Sequence, residues 1–188
     1  MNENILIAGS GGQGVLTLGI FLAKLGIYEN KNVLWIPSYG AEKRGGFSFC
    51  RVIISDEEIY SPFVEKPDTL ILFDQRAVET YKDMISDDTL VIENSSLIEK
   101  DVITAKRKIS LPASNIAKEI SFIKAMNLVI AGGFLASKFL FKVESVYNVI
   151  KDLLKNKSIL IIDKNIQAFN MGLDFIKTKV RPMQNSYS

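Results

Sequence analysis

The sequence predicts a single α/β domain over residues 1–180: a Rossmann-like, doubly wound, mostly parallel sheet that can include an antiparallel hairpin. A short apolar run, residues 5–8, leads through a glycine-rich turn into an amphipathic segment, which is the order strand, turn, helix. Further along, Thr69–Phe73 is an apolar run of the kind found in buried parallel sheets. Residues 181–188 are polar, and we expect them to form a loose tail or to contact a partner.

Composition narrows the classes of function. The chain has 188 residues, 47% of them hydrophobic, which is enough for one domain with a substantial core. Its formal net charge of +2 gives no general attraction to nucleic acid. No apolar run is long enough to cross a membrane and no secretory signal is visible, so we expect a cytoplasmic location. With one cysteine and no histidine, the chain should hold no disulfide, iron–sulfur cluster or zinc ion of its own.

The first part of the chain is expected to alternate strands with a helix. A strand–helix–strand order predicts a parallel pair of strands joined by a right-handed crossover. After the third strand, Ile59–Tyr60 can return beside it as an antiparallel hairpin, and Gly26 can end the first helix early. The predicted elements are strands at 4–8, 33–36 and 47–55 and a helix over 14–28.

The rest of the chain is predicted to add parallel strands and then helices. Gly132 and Gly133 lie inside a helix, where glycine costs about 1 kcal/mol relative to alanine, so they indicate close contact with another backbone. Residues 159–162 resemble a strand, but their isoleucines continue a spacing of three and four as far as Ile176. One helix over 158–176, with Ser158 as N-cap, is therefore predicted. The other predicted elements are strands at 69–73, 89–92 and 102–105 and helices over 75–84, 113–120, 126–141 and 143–154.

The glycine-rich turn after the first strand is the first candidate binding site. Gly9, Gly11, Gly12 and Gly14 let the backbone approach a ligand closely, with Gln13 between the last two. The helix that follows presents free N–H groups and a partial positive charge, which suit a phosphate. A strand-to-helix turn that binds nothing explains the same glycines.

The loop after the second predicted strand is the second candidate site, because open α/β sheets bind ligands at the carboxyl ends of their strands. Arg44, Gly45 and Gly46 can hold an anion with a guanidinium group and backbone N–H groups. Ser38 and Tyr39 add hydroxyl donors, and the Tyr39 ring suits a stacked adenine. An ordinary surface arginine beside a turn is the alternative interpretation.

Several other types of site are disfavoured. A Walker phosphate loop needs Lys and Ser or Thr after its last glycine, where this chain has Val15 and Leu16. A dinucleotide site usually has an acid at the end of its second strand, where Pro37 stands. The absence of histidine excludes Ser-His-Asp and Cys-His catalysis within the chain.

Single polar residues give no further catalytic candidate. Cys50 lies in an apolar strand, and we interpret it as a buried, inert thiol. Asp74 and Glu93, at strand ends, are interpreted as loop-capping residues, and Asn127 as a cap or first-turn residue of its helix. No pair of acids suggests general acid–base catalysis.

Several motifs occur in a distinctive order along the chain. They are GSGGQGV at 9–15, WIPSYGAEKRGG at 35–46, CRVIISDEEI at 50–59, SP at 61–62, KPD at 66–68, Asn127, Gly132, NIQAF at 165–169 and Gly172. This combination resembles the gamma subunit of the 2-oxoacid:ferredoxin oxidoreductases. The tryptophan motif and Cys50 are more similar to the 2-oxoglutarate branch than to the pyruvate branch. Ala41 departs from the pattern, since relatives often have proline there.

This resemblance implies a reaction and a set of partners. The reaction is the oxidative decarboxylation of a 2-oxoacid with coenzyme A, which gives acyl-CoA, carbon dioxide and reduced ferredoxin. Thiamine diphosphate and magnesium would bind to alpha and beta subunits, and iron–sulfur clusters to the beta subunit and a ferredoxin-like delta subunit. The present chain would bind part of coenzyme A, help assemble this heterotetramer and be inactive alone. A purely structural docking subunit and, less favoured, an independent nucleotide-binding oxidoreductase remain as alternatives.

Overall fold

The computed structural model describes residues 1–39, 46–61, 65–100, 102–138 and 140–180. Strands come mainly from the first part of this chain and helices from the last. The strands are β1 (Asn2–Ser10), β2 (Asn32–Tyr39), β3 (Phe47–Ser55), β4 (Thr69–Leu72), β5 (Leu90–Asn94) and β6 (Arg107–Leu111). The helices are α1 (Val15–Tyr28), α2 (Gln75–Tyr81), α3 (Ala113–Glu119), α4 (Met126–Lys138), α5 (Val143–Leu153) and α6 (Ile159–Val180). Two short 3-10 turns lie at Lys82–Met84 and Ile123–Ala125.

The strands form one sheet in the order β2-β3-β1-β4-β5-β6. Strands β1, β4, β5 and β6 are parallel, whereas β3 runs antiparallel to both of its neighbours, β1 and β2. The predicted α/β class and mostly parallel sheet are therefore confirmed. The antiparallel hairpin is formed by β2 and β3, on either side of the second candidate loop.

The predicted parallel pairing of β1 with β2 is wrong, because β3 lies between them. Strand β3 pairs with both β1 and β2 and so occupies the interior of the sheet, where Cys50, Val52 and Ile54 are completely buried on one face. Strand β2 lies at the edge of the sheet. Proline is tolerated in an edge strand because its missing N–H removes no hydrogen bond from a central strand pair, and Pro37 lies in β2. It still runs in the same direction as β1, so its carboxyl end lies at the same edge of the sheet as the glycine turn.

Three local predictions also fail. Ile59–Tyr60 is not a strand, and Tyr60 is 87% exposed, without the alternating burial of a paired strand. Residues 102–105 do not form a strand either, and Ile103 packs against the sheet as part of a loop. The next strand along the chain is β6 instead, and the charged residues at its start conceal its apolar pattern in the sequence. Gly26 does not end α1, which continues to Tyr28, but gives room to the side chain of Val33.

The two faces of the sheet are covered unequally. Ile5, Ile7 and Phe73 point into a large core shared with α1 and α3–α6. Leu6 and Leu72 point to the opposite face, where α2 and the loops around residues 98 and 103 form a smaller core. Helices lie on both faces, as a doubly wound sheet requires, but most of them lie on one.

The long C-terminal helix and the glycine contact are confirmed. Helix α6 replaces the strand-like interpretation of residues 159–162, although its first isoleucine, Ile159, is 77% exposed and lies outside the buried stripe. A Cβ added at Gly132 would lie 2.1 Å from the carbonyl oxygen of Phe169, and one added at Gly172 would lie 2.0 Å from that of Val129. Helices α4 and α6 therefore cross with their backbones in contact.

Candidate anion-binding site

The turn between β1 and α1 has the backbone conformation that its glycines predict. Gly12 and Gly14 have φ values of 91° and 90°, in the left-handed region that side chains disfavour. Gly14 stands at the N-cap of α1, and no side chain of the described residues accepts a hydrogen bond from the first N–H groups of the helix. The amino end of α1 therefore keeps its unpaired donors and its partial positive charge for an anion.

The surroundings of three glycines in the turn explain why a side chain is absent there. A Cβ at Gly9 would lie 2.6 Å from Cβ of Phe73, so Gly9 allows the turn to pack on the end of β4. A Cβ at Gly14 would lie 3.2 Å from the Asn127 side chain. A Cβ at Gly12 would meet no atom of the described residues within 4 Å, so on their side its backbone is open. Gly12 is thus the position where a ligand can approach bare main chain.

A polar frame holds the turn in place. The Ser10 N–H donates to Oε1 of Gln13 and to Oδ2 of Asp74, both at 2.9 Å, and the Ser10 hydroxyl donates to the same Asp74 oxygen at 2.6 Å. The other oxygen of Asp74 accepts from Ala77 N–H at 3.0 Å, which confirms the capping role at the start of α2. The oxygen of Gln13, a predicted ligand contact, is therefore engaged in the turn itself.

The link between Asp74 and Ser10 was not anticipated from the sequence. The sequence does show an acidic residue directly after a buried strand. However, the contact of this residue with Ser10 depends on β4 lying beside β1. Asn127 was also missed as a neighbour of the turn. It is the second residue of α4, 3% exposed, and its Oδ1 accepts from Leu128 N–H at 3.0 Å, as a first-turn residue can.

The two candidate sites meet at Gly46. The Gly11 N–H donates to the carbonyl oxygen of Gly46 at 2.7 Å, and this bond ties the glycine turn to the loop that precedes β3. Arg44 and Gly45 lie outside the described residues, as do the other residues from 40 to 43. The contribution of Arg44 to anion binding remains a prediction.

Ser38 and Tyr39 lie farther from the turn than their place in the sequence suggests. They pair with Phe49 and Ser48 of β3, which separates β2 from β1. Two strand spacings, about 10 Å, therefore lie between them and β1. Ser38 is in register with Phe49 and Ala8, whose side chains belong to the face opposite α1. Direct contact of these hydroxyls with an anion at the turn remains a prediction.

The reactivity of the Cys50 thiol, in β3, provides a first test of the structure. It is fully buried, and burial raises its pKa to about 12, so the nucleophilic thiolate is disfavoured. We expect no alkylation of the native chain by iodoacetamide at pH 8 during an hour in which the urea-unfolded chain reacts fully. Mass spectrometry of the two samples measures this, and rapid labelling of the native chain would contradict the buried position.

The fold and the turn define an α/β domain with a candidate anion site at the carboxyl edge of its sheet. Within the described ranges, no three His, Cys, Asp or Glu side chains are grouped to hold a metal ion. None of the helices described has the length and apolarity needed to cross a bilayer.

Residues 4–175 match the family described as pyruvate ferredoxin/flavodoxin oxidoreductase, and the chain belongs to this family.

Individual relatives agree with this family. The chain is 33% identical over 177 residues to the ketoisovalerate oxidoreductase subunit VorA of Methanothermobacter thermautotrophicus, covering 94% of this chain but 37% of the relative. It thus spans little more than a third of that protein. It is also 33% identical over 181 residues to the 2-oxoglutarate synthase subunit KorC of Methanocaldococcus jannaschii, covering 94% of this chain and 95% of the relative.

A solved structure shares the fold. It is the 2-oxoglutarate:ferredoxin oxidoreductase from Magnetococcus marinus with 2-oxoglutarate, coenzyme A and succinyl-CoA bound. The TM-score is 0.86 at 26% sequence identity, and the match covers 94% of this chain and 31% of that one. The resemblance to this group of oxidoreductases, inferred from the motifs, is confirmed by the family.

Proposed function

We propose that this chain is the gamma-type subunit of a 2-oxoacid:ferredoxin oxidoreductase and that it binds the phosphates of coenzyme A at the glycine turn. The complex would convert a 2-oxoacid, of which 2-oxoglutarate is favoured, and coenzyme A to acyl-CoA and carbon dioxide. The observation that supports this role most directly is the amino end of α1, which no described side chain caps, beside the backbone of Gly12, which no described residue covers. The bound coenzyme A of the Magnetococcus marinus enzyme agrees with it.

The rest of the chemistry is assigned to partners. Thiamine diphosphate, magnesium and iron–sulfur clusters need ligands on alpha, beta and ferredoxin-like delta subunits, since this chain has no histidine and one buried cysteine. Ferredoxin would accept the electrons, and the whole complex would work in the cytoplasm. The lone chain is expected to be inactive with 2-oxoglutarate, coenzyme A and a viologen acceptor.

A purely structural role is the second candidate. One observation favours it: the Oε1 atom of Gln13 and the Oδ2 atom of Asp74 accept hydrogen bonds from Ser10, so these side chains support the turn itself. In that case the glycines would serve only the packing of β1, α1 and β4. The two candidates differ in the effect expected from removing the positive charge of Arg44.

Replacing Arg44 with alanine separates them. If Arg44 contacts a phosphate of coenzyme A, loss of one charge-assisted hydrogen bond should raise the KM for coenzyme A in the assembled complex about ten- to a hundredfold. The KM for 2-oxoglutarate should stay within twofold, because that substrate would bind on other subunits. Steady-state kinetics of the same preparation measures both values.

The matched control is Arg107→Ala, which removes an arginine from β6, where its guanidinium donates to the carbonyl oxygen of Asp88. This variant should leave both KM values unchanged. If Arg44→Ala instead lowers the yield of assembled complex and leaves the KM for coenzyme A unchanged, Arg44 is a docking residue. The structural candidate would then be favoured.

A further inference from the structure

Large apolar side chains are exposed where α6 begins, on the helix-covered side of the sheet. Ile159 and Leu160 are the first two residues of α6 and are 77% and 65% exposed. Ile123, in the 3-10 turn before α4, is also exposed. Single exposed apolar side chains are ordinary on protein surfaces, whereas a contiguous group of them marks a contact with another molecule.

Helix geometry and one ring contact join these side chains into one surface. Leu160 and Lys164 are four residues apart and so lie on the same side of α6. The Lys164 ammonium lies 5.8 Å from the ring centroid of Phe122, the residue before Ile123. Phe122 and Ile161 also line a cavity of about 440 Å³ that opens beside α1. We call this surface the apolar patch, and its members are Ile20, Phe122, Ile123, Ile159, Leu160 and Ile161.

The border of the apolar patch is basic. Lys124 and Lys157 line the same cavity as exposed side chains, and neither forms an ion pair with another described residue. An apolar centre with a charged border is the usual composition of a protein interface. Two unpaired ammonium groups attract carboxylates on an approaching surface. The surface that complements the apolar patch is therefore apolar in its centre and acidic at its border.

The lengths of the relatives indicate which molecule covers the apolar patch. In VorA of Methanothermobacter thermautotrophicus and in the Magnetococcus marinus enzyme, about two thirds of the chain lies outside the region that this chain matches. KorC of Methanocaldococcus jannaschii, in contrast, is matched over 95% of its length. The remainder of the longer chains is therefore joined to this kind of domain in some relatives and separate from it in others. Where it is separate, a noncovalent contact has to hold the two together.

We propose that the apolar patch binds the subunit that corresponds to the remainder of VorA, through an apolar segment whose flanking carboxylates face Lys124 and Lys157. Thr17, in the first turn of α1, and Asn127, which packs against Gly14, line the same cavity as the patch. A subunit bound at the patch therefore lies beside the glycine turn. This assignment rests on the proposed function and adds to it the docking surface and the chemistry of one partner.

Replacing Leu160 with aspartate tests the assignment, and the probe is the subunit from the same organism whose sequence matches the remainder of VorA. The new carboxylate would be buried among apolar groups of the interface, so we expect the dissociation constant to rise about tenfold or more. Calorimetric titration of the two purified subunits measures it. Leu160 is exposed, and an acidic residue is favourable in the first turn of a helix, so the variant should unfold at the same temperature as the parent chain.

Ile27→Asp is the matched control, because Ile27 is 63% exposed, lies near the end of α1 and is not part of the apolar patch. It should leave the dissociation constant within about twofold of the parent value. Lys157→Glu tests the acidic border of the partner, and it should slow association several-fold at low salt and much less at high salt. Lys106→Glu changes the net charge equally, at the ion pair with Asp87, and should leave the association rate unchanged.

The outcomes separate this inference from the proposed function. If Leu160→Asp binds the subunit as tightly as the parent chain does, or if Ile27→Asp weakens binding equally, the docking assignment is overturned. The same holds if Leu160→Asp only converts a dimer of this chain to a monomer. Normal turnover by a complex that contains Leu160→Asp would then leave the proposed function standing. If Leu160→Asp alone weakens subunit binding and Gly12→Val leaves the KM for coenzyme A unchanged, the docking assignment stands and phosphate binding at the turn fails. If the parent chain does not bind the subunit, both proposals fail.

Discussion

Replacing Gly132 with alanine is expected to lower the free energy of unfolding by about 3 kcal/mol or more. The added Cβ would lie 2.1 Å from the carbonyl oxygen of Phe169 and 2.7 Å from the backbone nitrogen of Leu173, both on α6. A backbone cannot rotate away as the end of a side chain can, so the two helices must separate along their contact. Because α4 and α6 form much of the larger core, this separation also loosens apolar packing.

The neighbouring glycine gives a matched control. A Cβ at Gly133 would meet chiefly Cδ2 of Leu111, at 2.9 Å, and that leucine end can shift. Alanine also gains about 1 kcal/mol over glycine inside a helix. We therefore expect Gly133→Ala to change stability by less than about 1 kcal/mol. Urea unfolding of both variants, followed by circular dichroism, measures the difference, and equal losses would contradict the backbone contact between α4 and α6.

Local sequence patterns predicted the elements better than their pairing. The spacing of isoleucines in α6 and the glycines of the first turn were sufficient because each reflects the geometry of neighbouring residues. The insertion of β3 between β1 and β2 was not predictable in this way. It depends on which strand is buried on both faces, and the adjacent residues Val52 and Ile53 of β3 show this only once the elements that cover the sheet are placed.

In the candidate site too, local backbone features were predictable from the sequence and long-range contacts were not. The positive φ values of Gly12 and Gly14 follow directly from residue type and turn length. The contacts of Asp74 with Ser10 and of Asn127 with Gly14 join residues more than sixty positions apart. They require the strand order and the position of α4, which no local pattern contains. The sequence therefore predicted the backbone of the site and missed two of the side chains that support it.

Replacing Gly12 with valine should have the largest effect on the proposed activity. A Cβ at this position would meet no atom of the described residues within 4 Å, so the new side chain would occupy the space through which we propose that a phosphate approaches the backbone. In the assembled complex we expect the KM for coenzyme A to rise about a hundredfold, as for loss of a strong charge-assisted contact, while the KM for 2-oxoglutarate stays within twofold. Steady-state kinetics measures both.

Backbone strain is the competing explanation, since valine at a φ of 91° also destabilises the turn, by about 1–2 kcal/mol. Gly12→Asn separates strain from blocked approach, because asparagine tolerates the left-handed region far better than valine but fills the same space. If blocked approach is the cause, the two variants should differ in thermal stability and raise the KM for coenzyme A to a similar extent. If the rise in KM follows the loss of stability instead, and Gly12→Asn binds coenzyme A normally, the exposed backbone of the turn is not where the phosphates bind.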